Sequence, residues 1–342
     1  MKRCVDKKGL LFILPLIMVV LLFLVNLFYG SVDIPSRDVL AILFGGEVER
    51  EAWRLIVLET RVPQAVTALL AGAAISVAGL LLQTLFNNPL AGPEVLGINS
   101  GAGLGVAVVM LLMQGVFAVG GMNVAGYLAL FGGAFAGAAV IMAIILFLSS
   151  VLKNKVFLLV VGVAVGYLAS SLVSVLNYFA TSEGVHSYLV WGMGSFGAVS
   201  AEQLSVYAAL ILLLLVLSLF MMKPLNALLL GDVYAHNLGV NVKAVRAILL
   251  AITGMLTAVV TAFCGPISFL GLAVPHIARM YLKTNNHKQL LPGTLLIGSL
   301  TALVCNVVCQ LPGESGLLPL GAITPLIGAP VIIYVVLKNK NL

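Results

Sequence analysis

Residues 61–105 read RVPQAVTALLAGAAISVAGLLLQTLFNNPLAGPEVLGINSGAGLG. No charged residue falls between Arg61 and Glu94. A spanning helix needs about 20 apolar residues, so the stretch predicts one across a bilayer over residues 62–83. Gly, Ala and Ser recur along it, as they do in GINSGAGLGVAV (97–108) and FGGAFAGAA (131–139). Small residues let helices approach closely where lipid supplies no hydrophobic drive to associate. After this run, Asn87, Asn88, Pro89 and Pro93 predict an irregular turn. Glu94 is expected in the first turn of the next helix, where a carboxylate suits the helix dipole. Irregular backbone at the membrane edge is tolerated where protein buries it or it lines a water-filled path.

The rest of the chain is of the same kind. Of 342 residues, 61% are hydrophobic and 9% charged, and the mean hydropathy is +1.16. A soluble protein of this size needs a far more charged surface. The pattern therefore predicts an all-α integral membrane protein, a single transmembrane domain over 1–342. Its apolar runs predict about ten spans, near 10–30, 62–83, 94–113, 122–150, 156–180, 200–222, 242–263, 273–283, 290–310 and 320–337. The eighth is short enough to be a half-helix. The first is too long for a signal peptide and no small-residue cleavage site follows it.

Charge orients these spans. If the chain starts inside and alternates, 14 of the 18 Lys and Arg fall on the cytoplasmic side. Only Arg37, Arg50, Arg54 and Arg61 fall outside. The positive-inside rule then places both termini in the cytoplasm. The net charge of +6 is spread thinly over short loops, which marks orientation and makes nucleic-acid binding the less economical reading.

Energy-supplying chemistry is missing. No Gly-Lys pair occurs, so there is no phosphate-binding Walker A loop. The spans carry almost no ionisable groups of the kind that proton- or sodium-coupled carriers use. If the protein pumps, a partner supplies the energy. Cys4, Cys264, Cys305 and Cys309 form no ligand set; Cys305 and Cys309 share a helix face and read as small core hydrophobes. No cofactor or metal site is expected.

Two further stretches depart from plain spans. In CGPISFLGLAVPHIARM (264–280), Gly265-Pro266, Gly271 and Pro275 predict a broken helix, with His276 and Arg279 on a new short helix after Pro275 and His276 a packed or hydrogen-bonded histidine. In NALLLGDVYAHNLGVN (226–241), apolar Leu228, Leu229, Leu230, Val233 and Leu238 alternate with Asp232, His236 and Asn237. Gly231 permits a turn, Asp232 is placed to cap the second piece, and Gly239 is placed to end it. The residues alone fit either an amphipathic helix at the lipid interface or a folded element for a partner.

In order along residues 10–338, four blocks resemble the permease subunits of type II ABC importers for iron-siderophore complexes, haem and vitamin B12. They are residues 61–105, GDVYAHNLGVN (231–241), GPISFLGLAVPHIAR (265–279) and LPLGAITPLIGAPVIIYVVLK (318–338). The resemblance implies a ten-helix permease fold that pairs with a second copy of itself, with the path on the two-fold axis. It implies two cytoplasmic ATP-binding cassette ATPases that bind ATP and Mg, an external or periplasmic substrate-binding protein, and a bacterial inner membrane. Segment 225–241 then holds two short coupling helices seated in the ATPase, with Leu229, Gly231, Asp232, Ala235, His236, Leu238 and Gly239 as coupling residues. Asn88, Pro89 and Leu90 match the cytoplasmic gate, and Asn154 and Lys155 the position of a second gate whose small hydroxyl residues are absent here. Arg61 matches the first arginine that receives the binding protein. The family's other two arginines correspond to Gln64 and Gln310, leaving Arg54 and Arg50, among acidic neighbours, to supply charge.

Ser170, Ser174 and Asn177 on the fifth span fall at helical spacings that could line the path or pack against neighbours. His186, Tyr188, Trp191 and Met193 belong to the external mouth, with His186 read as a surface histidine. The leading expectation is an importer permease for an iron chelate, with vitamin B12 as the alternative cargo. A solitary secondary carrier would require an essential intramembrane charge, and a membrane scaffold would require no mobile gate.

Overall fold

A computed structural model of the chain describes residues 3–112, 124–152, 154–311 and 316–339. Within them no strand occurs. Fifteen α-helices follow in order: α1 (Arg3–Phe28), α2 (Ser36–Leu43), α3 (Glu51–Leu55), α4 (Val62–Phe86), α5 (Ile98–Ala107), α6 (Val124–Val151), α7 (Lys155–Phe179), α8 (Ser182–Gly192), α9 (Ala201–Phe220), α10 (Met222–Leu228), α11 (Asp232–Asn237), α12 (Val242–Cys264), α13 (Leu270–Leu282), α14 (His287–Gln310) and α15 (Leu320–Asn339). Seven of the described helical stretches are long and apolar enough to cross a membrane; α5 with its continuation and α15 are shorter apolar helices. Together with the 13-residue α13, these stand where the sequence predicts spans. The boundary between the third and fourth spans, 113–123, and Lys153 lie outside the described residues.

Helix α4 is the axis of the bundle. Its span is 89% buried, against 22–28% for those of α1, α6, α7 and α9. It packs against α14, α12, α13 and α9. Small residues make this possible: a methyl group on Gly72 would overlap the Gly298 carbonyl of α14, and one on Gly79 would overlap the Gly271 carbonyl of α13. The rows read from the sequence therefore are backbone-to-backbone crossings.

Three local readings are corrected. The second span does not start at 62: α3, a π-helical turn over Ile56–Arg61 and α4 run on as one 36-residue stretch from Glu51 to Phe86. Glu94 is not in the first turn of α5; it sits in a separate 3-10 turn, Pro93–Leu96, and α5 starts after Gly97 in the left-handed region. Pro275 does not start the broken helix. The break is at Gly265–Phe269, and Pro275 lies inside α13. A proline has no N–H to give the carbonyl four residues back and its ring crowds that turn. Here Gln83 Nε2 of α4 reaches the Gly271 and Leu272 carbonyls at 3.4 and 3.2 Å.

Candidate coupling element and cytoplasmic gate

The segment after α9 folds into two short helices. In α10, Leu225 and Leu228 are buried and the helix packs on α14, α4 and α9. The chain then turns through Leu229, Leu230 and Gly231, whose φ of 96° only glycine adopts without strain. Gly231 is itself the N-cap of α11. Asp232 is therefore not the cap; it occupies the first turn and pairs with Arg246 of α12 at 3.5 Å. At the other end Gly239 is at φ 83°. Its N–H reaches the His236 carbonyl at 2.9 Å, and Val240 N–H reaches the Ala235 carbonyl at 3.0 Å. These two bonds form a Schellman closure, so Gly239 ends α11 as its place in the sequence predicts. Ala235 faces inward and is fully buried, and His236 is exposed. Leu229, Leu230, Val233, Tyr234 and Leu238 point away from the bundle at 41–73% exposure. A folded element with an apolar outer face suits a protein partner.

The Asn-Pro turn below α4 is closed in the same manner. Asn87 is left-handed at φ 47°, and the N–H groups of Asn87 and Asn88 return to the Thr84 and Gln83 carbonyls. Asn88 Oδ1 accepts the Leu90 N–H at 2.9 Å. Two residues of α13 fasten the turn from the side. His276 Nε2 donates to the Pro89 carbonyl at 2.9 Å, and Arg279 donates to Gln83 Oε1 at 2.6 Å. Leu90 remains half exposed. His276 is thus the hydrogen-bonded histidine the sequence predicts. Arg279 stands beside His276 in the sequence reading, but its bond to Gln83 joins positions 196 apart and leaves no local signal.

The remaining site residues separate. Asn154 caps α7, its side chain accepting Val156 N–H at 2.9 Å, and Lys155 opens that helix. On α7, the Ser170 and Ser174 hydroxyls donate to the Gly166 and Ser170 carbonyls of their own helix. Both serines are exposed on the outside of the bundle, and Asn177 is half-buried. One chain alone does not enclose a path there. His186 is exposed on α8, and among the described residues no cluster of His, Cys, Asp or Glu could hold a metal ion. Cys264, Cys305 and Cys309 are free and buried.

The arginine expected to dock a binding protein is engaged elsewhere. Arg61 is 4% exposed. Its guanidinium donates to the Leu27 and Phe28 carbonyls at 3.0 and 2.9 Å and also to the Val32 carbonyl. Those are the orphan carbonyls at the end of α1 and the loop after it. Arg61 therefore presents no free fork to an outside carboxylate in this conformation. Gln64 is buried and joins Asn306 of α14, which joins Asn26 of α1, at 2.9 and 2.7 Å. Gln310 is buried as well. Arg54 pairs with Glu51 at 3.2 Å, and Arg50 lies exposed over the Trp53 ring.

A glycine-crossed bundle of long apolar helices, with a fastened turn after α4 and a folded, apolar-faced element after α9, is the make-up of a multi-pass membrane protein. Residues 17–338 match the FecCD transport family, and the chain belongs to that family. It is 37% identical to the vitamin B12 import system permease protein BtuC of Salmonella paratyphi A over 287 residues, 84% of this chain and 85% of that one. The same figures hold for BtuC of Escherichia coli O9:H4. A solved inward-facing transporter described as of the metal-chelate ABC type superposes at a TM-score of 0.83, with 28% identity, over 96% of this chain and 99% of that one.

Proposed function

We propose that the chain is the membrane-spanning subunit of an ATP-driven importer for a large metal chelate in a bacterial inner membrane, with vitamin B12 as its first cargo. The sequence put an iron chelate first. The named relatives are vitamin B12 permeases at 37% identity, and that likeness moves cobalamin ahead of siderophore and haem. The carrying observation is the α10–α11 element, folded by two positive-φ glycines, packed through α10 on α4 and presenting an apolar outer face.

In this reading two copies of the chain bound a path, and the 14 cytoplasmic cations hold ten spans with both termini inside. An external binding protein delivers the cargo. Two ATPase subunits bind ATP and Mg and grip Leu229, Leu230, Tyr234 and Leu238. Their closure displaces α10 and α11 as a rigid piece, and the Asn88-Pro89-Leu90 turn opens or narrows. The chain itself does no chemistry. With Arg61 committed to α1, docking of the binding protein falls to Arg50 and Arg54.

Purification in mild detergent with native mass spectrometry tests the assembly. Two copies of this chain with two copies of a Walker A protein are expected. A chain that stays alone with candidate ATPases co-expressed would remove the coupling role. Competition between cyanocobalamin and a ferric siderophore in the reconstituted importer then decides the cargo.

A further inference from the structure

Beside the gate turn runs a second polar connection that the proposed mechanism has not used. Asn226 sits on α10, the first half of the coupling element. Its Oδ1 accepts the backbone N–H of His287 at 2.8 Å and faces His287 Nδ1 at 3.0 Å. Its Nδ2 donates to Asn286 Oδ1 at 3.0 Å. Asn286 in turn is the N-cap of α14, accepting from Lys288 N–H at 3.0 Å. The other ring nitrogen of His287, Nε2, meets Thr84 Oγ1 of α4 at 2.9 Å. Thr84 lies three residues before Asn87, where the gate turn begins, and its carbonyl receives the Asn87 N–H. His287 is 1% exposed and Thr84 4%.

We infer that Asn226, His287 and Thr84 are positioning residues that transmit movement of the coupling element to the gate turn. The inference deepens the importer reading and rests on it. Its basis is geometric. The imidazole has a polar partner at each nitrogen, one on the element that would meet the ATPase and one on the helix that ends in the gate: with Nδ1 donating to Asn226 Oδ1, Nε2 accepts the Thr84 hydroxyl, whose other acceptor within reach is the Leu80 carbonyl at 3.0 Å. Buried polar groups are costly to leave unpaired, and networks in a low-dielectric interior strengthen one another. Displacement of α10 must therefore carry the start of α14 and the end of α4 with it, or break the part-buried Asn226–His287 bonds or the buried His287–Thr84 contact. His276 and Arg279 of α13, a helix that packs on α14, hold the same turn through Pro89 and Gln83. Two sets of bonds thus meet at the turn, and of the two it is the His287 set that includes a residue of the coupling element.

Thr84→Val keeps the shape of the side chain and deletes the hydroxyl, and Thr84→Ser restores it. Asn226→Ala, His287→Ala and His287→Gln complete the set. Each is assembled with its ATPase and binding protein in liposomes. The readouts are ATPase retention, ATP hydrolysis, cyanocobalamin uptake and the nucleotide-dependent separation of spin labels at Leu90 in the two copies. Thr84→Val and His287→Ala are expected to keep the ATPase and its hydrolysis, while uptake per ATP falls roughly fivefold or more. The label movement is lost, and Thr84→Ser recovers it. Asn226→Ala combined with His287→Ala is no worse than either alone, as for groups acting in series. If Thr84→Val assembles and retains both parental coupling and label movement, the relay is wrong. If the unaltered chain binds no ATPase, the importer reading falls and the relay with it. Label movement does not depend on cargo, so a failure of cyanocobalamin alone indicts the cargo and leaves the relay standing.

Discussion

Gly239 and Arg61 are fixed by opposite things, one by its backbone conformation and the other by the bonds of its side chain. Gly239 is at φ 83° with open space where a Cβ would stand, so a larger residue meets strain in the backbone and none from neighbours. The left-handed conformation costs an L-residue about 1–2 kcal/mol, and a β-branched one more. That strain falls on a six-residue helix anchored inward by Ala235. Gly239→Val is expected to fray α11 and abolish ATP-dependent uptake while the bundle keeps its melting temperature. Gly239→Asn, which tolerates the left-handed region, is expected to retain most activity. Asp232→Ala and His236→Ala are milder, because the Asp232–Arg246 pair is partly exposed and such pairs are worth about 0–1 kcal/mol. Arg61 is the opposite case, a side chain whose partners are all backbone. Arg61→Ala strands three carbonyls at the end of α1 and in the loop after it, and hydrogen bonds to a charged group are worth about 1.5–3 kcal/mol each. A lower melting temperature in detergent with unchanged affinity for the binding protein is the expected result. Loss of that affinity without loss of stability would return Arg61 to docking.

At the scale of elements, the sequence was most legible where composition speaks alone. The long spans fall within a few residues of their predicted places, because an uncharged apolar run has no other stable home. Elements with mixed composition were less legible. Glu51, Arg54, Glu59 and Arg61 read as an external loop, yet they continue α4 outward as helix, since a charged residue forms helix readily once a span supplies the nucleus. Pro275 read as a helix start, and only the tertiary bond from Gln83 shows why α13 tolerates it inside. The coupling glycines and the Asn-Pro turn were visible because positive φ leaves a residue-type signature. The Asn226–His287–Thr84 contact was not, since nothing local pairs positions 61 and 203 residues apart. Glycine crossings separate these cases experimentally. Gly79→Ala places a methyl against the Gly271 carbonyl, and overpacking costs about 1–3 kcal/mol. Gly132→Ala on α6 meets nothing within 4 Å and gains about 1 kcal/mol of helix propensity. Thermal unfolding in detergent should therefore move in opposite directions for the two substitutions.

Across the whole molecule burial is uneven. Helix α4 is buried on nearly all sides, whereas α7 exposes Tyr167 at 72%, Leu168 at 63% and Tyr178 at 83% alongside Ser170 and Ser174. Polar groups on a span turn away from lipid, yet these serines lie on the outer surface of this bundle. Their hydroxyls are satisfied by their own helix, so they would suit a weakly adhesive wall facing water and a second copy. The surface can be probed with one cysteine, Ser174→Cys, in a chain carrying Cys4→Ser. Cys264, Cys305 and Cys309 are buried and leave little background. A water-soluble maleimide is expected to label Ser174→Cys in the liposome-reconstituted complex, with nucleotide changing the rate. A short bis-maleimide should join two copies. Labelling only by a lipid-soluble reagent, without cross-linking, would put α7 against the bilayer. The path would then have to be sought on another face of the bundle, with Ser170, Ser174 and Asn177 reduced to packing.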